Sequence, residues 1–476
     1  METVPLTELC DNAQLNRFHK RLVVYSAGGP FLDGYVMGMI GIALVQITPY
    51  MGLSLFWEGM VGAGTLVGMF FGGFLGGLFT DKYGRQLLYS IDLIALALFS
   101  LAQFWAETGL YLFICRLLLG VAVGADYPIA TALLAEFTPK KYRGPFIGLL
   151  EAMWFVGASC AYIVGELMLN TGPEAWRWML ASAVIPAVVF LFIRRHTPES
   201  PLWLSQKGRF VEACAVLKLV YDKNVSLTDL QGLVKKSARV SVWQMFHSGY
   251  GARMLFITVF WTCAVVPLFA VYSFAPKIMV ALGISGNLGN AGSAVMTIIF
   301  MLGCFLSLQL INKMGRRSLL LHSFFWSAVA LTLLSIFSNA PPYVIFLLFS
   351  MYALCTSGSQ NLQFVYPNEL FPTEIRASAV GLASSLTRIG AAIGTYLVPL
   401  ALARLNIQVT MMIAACITML GFAVSLKMAP ETAHCSLEET SRCFEDTDCL
   451  LDGSSCPLVE GCGLAKGADP TDSRMA

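Results

Sequence analysis

The chain has 476 residues and a formal net charge of +2; 57% of its residues are hydrophobic and only 13% are charged. Its mean hydropathy of +0.68 lies far outside the range of soluble globular domains. The near-neutral charge gives no indication of a nucleic-acid partner. The composition therefore predicts an integral membrane protein embedded in the lipid bilayer.

Apolar runs of about 20 residues recur along the sequence, each long enough to cross a roughly 30 Å hydrocarbon core as a helix. We predict twelve spans, at about 22–46, 56–79, 87–105, 109–133, 146–169, 177–194, 254–282, 288–311, 318–337, 342–364, 377–402 and 407–428. The polar residues 1–21 lack the apolar core and cleavage site of a secretory signal, so we expect a retained N-terminal segment.

Basic residues concentrate in the loops on one side of the predicted bundle. They occur in DKYGR, PKKYR, IRR and INKMGRR, whereas the opposite loops PYMGLSLFWEG and SNAPPY contain no Lys or Arg. Because Lys and Arg accumulate in short cytoplasmic loops, we predict that both termini are cytoplasmic. We expect amphipathic helices on the inner surface in the linker 197–250, and a disordered Cys-containing tail over 433–476, with metal or redox sensing by the tail as the alternative.

Charged residues inside the spans are the first candidates for a functional site, since each costs at least ~2.5 kcal/mol in the bilayer. Asp33 lies about 11 residues into the first span, hence roughly 16 Å deep, where a proton or substrate site is expected. Asp126, in GADYPIAT of the fourth span, is ambiguous. It is a candidate to bind a polar substrate or a proton, or to be a hydrogen-bonded kink site beside Pro128.

Arg388 is a second deep charge, roughly 18 Å into the eleventh span. A bidentate contact from its guanidinium to a substrate carboxylate or phosphate is one interpretation. The alternative is pairing with Asp33, Glu151 or Asp126 across a cavity. Further candidate substrate-binding groups are polar or aromatic, with core packing as the alternative for the two aromatic residues: Glu151, Trp154, Tyr272, Gln360, Asn361 and Gln363.

Three motifs occur twice, at a near-constant offset of about 232 residues. Gly84-Arg85 matches Gly315-Arg316, the segment from Glu136 to Arg143 matches that from Glu369 to Arg376, and Glu199 matches Glu431. The common offset predicts two copies of a six-helix unit, an architecture that recurs in transporters.

The repeated arginines are expected to bridge carboxylates and helix ends at one membrane surface. Contacts that break and reform there would suit two rigid halves that rock against each other. The alternative is that the basic residues only set topology. The acidic partners available to the arginines are Asp81, Glu136, Glu199, Glu369 and Glu431.

The segments DKYGRQ, NKMGRR, EFTPKKYR, ELFPTEIR, PESPLWL and PET resemble the signature of the major facilitator superfamily, over residues 20–432. The likeness is to its sugar-porter and metabolite:proton symporter branches, and more narrowly to bacterial inner-membrane metabolite transport proteins. It implies an all-α membrane protein of twelve helices in two six-helix bundles, 22–196 and 251–432, which alternate access to a central cavity.

The resemblance also implies roles for single residues. In sugar porters a helix-1 aspartate pairs with a helix-4 arginine placed like Arg116, which implies Asp33 as proton acceptor and Arg116 as its modulator. A fixed structural ion pair is the alternative. Organic-anion carriers place an arginine like Arg388. The seventh span lacks the Q-Q-x-x-G-x-N pattern of hexose porters, and Val36 replaces the second acid of the D-G-[YF]-D pattern of aromatic-acid symporters.

We therefore expect a monomeric secondary transporter of the inner membrane that takes up a small polar metabolite with protons. A carboxylate-bearing solute, such as a sugar acid or an aromatic acid, is the first choice. A neutral sugar or polyol and a transport-fold sensor are the alternatives. No H-E-x-x-H, phosphate loop or catalytic triad indicates an enzyme, and we expect no cofactor or metal.

Overall fold

The computed structural model describes residues 13–195, 197–221, 250–284, 287–371 and 373–432, and within these ranges the regular structure is helical. The first half contains α1 (Arg17–Met51), α2 (Leu55–Tyr83), α3 (Arg85–Ala102), α4 (Gly109–Phe137), α5 (Lys140–Leu169), α6 (Ala175–Ala181) and α7 (Val184–Arg194). Two short helices follow, α8 (Pro201–Gln206) and α9 (Phe210–Tyr221). The second half contains α10 (Gly251–Ala281), α11 (Asn287–Met314), α12 (Arg316–Ile336), α13 (Pro342–Leu370), α14 (Thr373–Arg404) and α15 (Asn406–Met428).

Among the described residues, twelve helical segments are long and apolar enough to cross a membrane, with α6 and α7 together forming one of them, which confirms the predicted number. Most helices extend beyond the predicted spans, because hydropathy marks only the part that crosses the hydrocarbon core. The first helix illustrates this. It begins at Arg17, where the Asn16 side chain accepts a hydrogen bond from the His19 backbone N–H at 3.1 Å.

Glycines bring the helices of the first half into close contact. A Cβ on Gly34 or Gly38 of α1 would collide with the backbone of Trp154 or Ala158 on α5, and Gly157 packs on α1 in the same way. Small residues matter at these contacts because lipid tails are as apolar as the side chains, so that helices associate through close packing. The α1–α5 pair is thereby held at a fixed register around Asp33.

The two halves contact each other mainly through three helix pairs, α1 with α10, α2 with α14, and α5 with α11, and less extensively through α5 with α13 and α4 with α14. We call the end of the molecule that carries Arg85 and Arg316 the arginine face, and the other end the opposite face. Near the opposite face, Lys277 of α10 lies 2.8 Å from both carboxylate oxygens of Glu58 on α2. This ion pair joins the two halves.

The short helices α8 and α9 lie at the arginine face. Asn16 donates a hydrogen bond to the carbonyl of Val220 at 2.6 Å, and the Tyr221 hydroxyl donates to the carbonyl of Phe137 at 2.7 Å. Part of the predicted linker therefore packs against the ends of α1 and α4. Residues 222–249 of the linker and the predicted disordered tail 433–476 lie outside the described residues.

Candidate functional site

Polar side chains from four helices meet near the middle of the molecule, where the two halves face each other. They are Asp33 of α1, Glu151 of α5, Gln363 of α13 and Arg388 of α14, which we call the central cluster. Asp33 and Glu151 are both 5% exposed. Gln363 Nε2 donates a hydrogen bond to Glu151 Oε1 at 3.1 Å. This contact links the two halves directly at the level of the buried acids.

Arg388 is the cation of the central cluster. Its guanidinium interacts electrostatically with both Asp33 and Glu151, and its Cζ lies 5.3 Å from the centre of the Phe269 ring. It forms no direct ion pair with any residue in the described part of the chain. The donors of its guanidinium can therefore reach a bound molecule without first breaking a salt bridge.

Asp33 lies against an aromatic wall. The Trp154 indole lies beside its carboxylate, and the buried oxygen Oδ1 has no hydrogen-bond partner among the described residues. The Trp154 ring packs edge-on against Phe269 at 5.7 Å and Tyr272 at 5.1 Å. Convergent polar groups beside aromatic faces are the usual composition of a small-molecule site.

The central cluster contains two carboxyl groups and one guanidinium. An uncompensated charge in a low-dielectric interior costs several kcal/mol, so the cluster is electrically balanced when one proton resides on the two acids. Asp33 and Glu151 belong to the first half and Arg388 to the second. The protonation state therefore changes the attraction between the halves.

Arg116 does not contact Asp33 in this structure. Its side chain is 1% exposed, and its Nε donates a hydrogen bond to the carbonyl of Val61 on α2 at 2.7 Å. The reason is its position on α4, since Gly120 and Gly124, four and eight residues later, form the stripe that packs on α2. The Asp33–Arg116 pair implied by the resemblance is absent from this conformation, and the coupling roles remain predictions.

Asp126 lies outside the central cluster, in a second buried group. Its Oδ1 is 2.5 Å from Nη1 of Arg194, and Asp92 Oδ2 lies 4.0 Å from the same nitrogen. Asp92 and Arg194 are not among the site residues predicted from the sequence. Asp92 sits inside the predicted span 87–105, so the criterion applied to Asp33 identifies it too.

Two of the three candidate amides bind within the second half. Gln360 Nε2 donates to the carbonyl of Ala264 on α10 at 2.9 Å, and Asn361 Nδ2 donates to the carbonyl of Cys304 on α11 at 2.9 Å and to the Ser307 hydroxyl. Cys304 Sγ donates back to Asn361 Oδ1 at 3.1 Å. These contacts hold α13 in place, so of the three amides Gln363 is the one that reaches the central cluster.

The repeated motifs form matching structures at the arginine face. Glu199 accepts hydrogen bonds from the backbone N–H groups of Arg85 and Gln86 at 3.0 and 3.1 Å. Glu431 accepts the equivalent bonds from Arg316 and Arg317 at 2.9 and 3.2 Å. Each glutamate thus caps the N-terminus of the helix that follows the Gly-Arg pair, where a negative charge is stabilised.

The glycines of these pairs are required by the backbone. Gly84 has φ +101° and Gly315 has φ +84°, which side-chain-bearing residues rarely adopt. A Cβ at either glycine would also meet the capping glutamate.

The arginine side chains complete the two caps. Arg85 pairs with Glu136 at 3.0 Å and Arg316 with Glu369 at 3.3 Å, and burial raises the pKa of Glu369. Each pair joins helices of the same half. The side chains of Asp81, Arg143 and Arg376 lie outside the described residues.

Comparison with known proteins identifies the family to which the chain belongs. The model of the sugar (and other) transporter family matches residues 22–444. The chain belongs to this family. It is therefore a multi-pass membrane transporter of the major facilitator superfamily, as the motifs predicted, and not an enzyme.

Relatives in Escherichia coli carry matching names. YaaU, provisionally named a metabolite transport protein, is 40% identical over 90% of this chain and 96% of its own length. The inner membrane metabolite transport protein YgcS is 37% identical over 91% of this chain and 95% of its own. The proton:xylose symporter XylE, solved with 6-bromo-6-deoxy-D-glucose, shares the fold with a TM-score of 0.75 at 21% identity, covering 89% of this chain and 98% of that one.

Proposed function

We propose that this member of the sugar transporter family is a proton-coupled symporter that takes up a small polar organic solute by alternating access. The observation that carries the proposal is the central cluster. Two buried acids of one half face a guanidinium of the other half that forms no direct ion pair with a described residue. Intramembrane carboxyl groups of this kind commonly mark proton paths.

The charges of the central cluster provide the coupling. With both acids ionised, Arg388 is attracted to Asp33 and Glu151, and one negative charge is left unbalanced. Protonation of the acids weakens that attraction and leaves the positive charge of the guanidinium available to the solute. When both acids carry a proton, the cluster has one unbalanced positive charge, which a carboxylate on the solute neutralises, so protons and solute each favour the binding of the other.

We infer a carboxylate-bearing solute, such as a sugar acid or an aromatic acid. A guanidinium presents two parallel donors that match a carboxylate, and Trp154, Phe269 and Tyr272 offer ring faces beside it. A neutral sugar or polyol is the second candidate. The hydrogen-bonding capacity of Glu151 and Gln363 suits hydroxyl groups, and the matching family is named for sugars.

We further propose that the arginine face is cytoplasmic, because the basic loops lie there and the opposite loops lack Lys and Arg. Both termini then lie in the cytoplasm, and we propose that the protein is a monomer in the bacterial inner membrane. Its parts are the bundles 22–196 and 251–432, the linker 197–250 and the tail 433–476.

Uptake into right-side-out membrane vesicles tests the proposal. Labelled sugar acids, aromatic acids, neutral sugars and polyols are offered with an imposed proton gradient, with and without a protonophore. We expect accumulation of at least one compound that disappears when the gradient collapses. Accumulation that persists unchanged would exclude symport.

Arg388→Gln distinguishes the two solute classes. Loss of the guanidinium should reduce uptake of an acid by about 100-fold, the effect of removing a charge-assisted contact of about 3 kcal/mol, and largely spare a neutral sugar. Arg404→Gln is the matched control, since Arg404 is exposed at the end of the same helix. Equal loss for both solute classes would contradict a carboxylate contact.

A further inference from the structure

A second group of buried charges lies within the first half, between the central cluster and the arginine face. Arg194 of α7 contacts Asp126 of α4 through both terminal nitrogens, at 2.5 and 3.4 Å, and lies 4.0 Å from Asp92 of α3. The exposed fractions of the three side chains are 0%, 7% and 4%. We call these three residues the aspartate pair site.

The remaining contacts of Arg194 fix its position. Its Nε donates to the carbonyl of Tyr25 on α1 at 2.9 Å, and its Cζ lies 3.7 Å from the centre of the Tyr89 ring on α3. The Tyr89 hydroxyl donates to the same carbonyl at 3.0 Å. These contacts hold the guanidinium in place, and it supplies one positive charge to two acids.

Asp92 and Asp126 approach the same guanidinium nitrogen, since Nη1 of Arg194 lies 2.5 Å from Asp126 Oδ1 and 4.0 Å from Asp92 Oδ2, and the two acids interact with each other. Oδ1 of Asp92 accepts from the Leu93 backbone N–H at 2.6 Å, while the buried Oδ2 has no donor among the described residues. Ionised carboxylates only accept hydrogen bonds. A proton on one of the two acids would supply a donor to the buried Oδ2 and would also balance the second negative charge.

The aspartate pair site adjoins Asp33 along α1. Gly29 lies one helical turn before Asp33, and a Cβ there would collide with the Asp126 carboxylate. Because helical side chains lean toward the N-terminus, the Asp33 side chain inclines toward the turn of Gly29. Asp33 and Asp126 interact electrostatically, and a small cavity lined by Gly29, Asp92 and Asp126 lies at this junction.

We propose that Asp92 and Asp126 share one exchangeable proton, and that this site passes protons between Asp33 and the arginine face. The charged or titratable groups that face the pair are Arg194 from α7, Tyr89 from α3 and Asp33 from α1. The role in transport rests on the proposed symport. The shared proton itself does not.

Infrared spectroscopy of the purified full-length protein in liposomes, titrated with acid and base and without solute, tests the site. The protonated-carboxyl stretching band should lose intensity as the pH rises. Asp92→Asn and Asp126→Asn should each remove the same component, equal to one carboxyl group, and the double variant should remove no more. Glu107→Gln, an exposed acid of the same half, is the control and should leave that component unchanged.

Three outcomes would overturn the proposal: no loss in either variant, losses that add in the double variant, or a component that does not respond to pH. If a variant does not fold, carboxyl-labelled aspartate in the wild-type chain keeps the test open, because the titrating band must shift with the label. Since no solute is used, this result is independent of the uptake experiments.

Discussion

The ion pair between Glu58 and Lys277 predicts how the molecule opens at the opposite face. It joins α2 of the first half to α10 of the second, with both Glu58 oxygens 2.8 Å from the Lys277 nitrogen. In an alternating-access transporter, a contact made between halves at one face must break when that face opens. Glu58→Gln removes the charge and leaves the half-exposed Lys277 to be solvated.

The structure sets the size of the effect. A hydrogen bond to a charged partner contributes about 1.5–3 kcal/mol, and exposed ion pairs contribute about 1 kcal/mol or less. Glu58 is 4% exposed and Lys277 is 39% exposed, so we take an intermediate value of about 1.5 kcal/mol. This corresponds to a shift of roughly tenfold toward the conformation open at the opposite face.

Hydrogen–deuterium exchange measured by mass spectrometry detects that shift without an attached probe. Peptides at the opposite-face ends of α2 and α10 should exchange faster in Glu58→Gln, while peptides at the arginine face should exchange more slowly. Glu107→Gln should change neither. Unchanged exchange at both faces, or faster exchange at both, would show that the Glu58–Lys277 ion pair does not hold the opposite face closed.

Two further predictions concern the helices that position the central cluster. Gln363→Ala removes the hydrogen bond to Glu151 and should lower uptake several-fold with little change in Tm. Asn361→Ala breaks a buried network and should lower the free energy of unfolding by about 2 kcal/mol, measured by thermal denaturation. The reverse pattern would contradict a binding role for Gln363 and a structural role for Asn361. Gly38→Val inserts a side chain against the Ala158 backbone and should sharply reduce the yield of folded protein in size-exclusion chromatography, while normal yield would mean that α1 and α5 can separate without cost.

Much of the architecture was predictable from the sequence because the membrane imposes long apolar helices. The repeat of about 232 residues also has a direct structural counterpart, since Glu199 and Glu431 cap equivalent helices after Gly84 and Gly315. Such motifs are readable because their chemistry is local. Each motif needs only a glycine with a positive φ, the N-terminus of the helix that follows and one nearby carboxylate.

The partners of the buried charges were less predictable, because they depend on rotation of each helix about its axis. Arg116 faces α2 because Gly120 and Gly124 pack there, which hydropathy does not reveal. Asp92 lies within a predicted span, but its position in the sequence does not reveal its partner. Arg194 lies at the end of a predicted span, where an arginine also acts as a topology signal, whereas the structure buries it against two acids.

Replacement of Asp33 by Asn tests proton coupling through the central cluster, because it keeps the shape of the side chain and removes its ability to exchange a proton. The solute identified in the uptake panel is measured in two assays, accumulation driven by a proton gradient and counterflow without one. We predict that accumulation against a solute gradient is lost while counterflow continues. Accumulation at the wild-type rate in Asp33→Asn would contradict proton coupling through the central cluster.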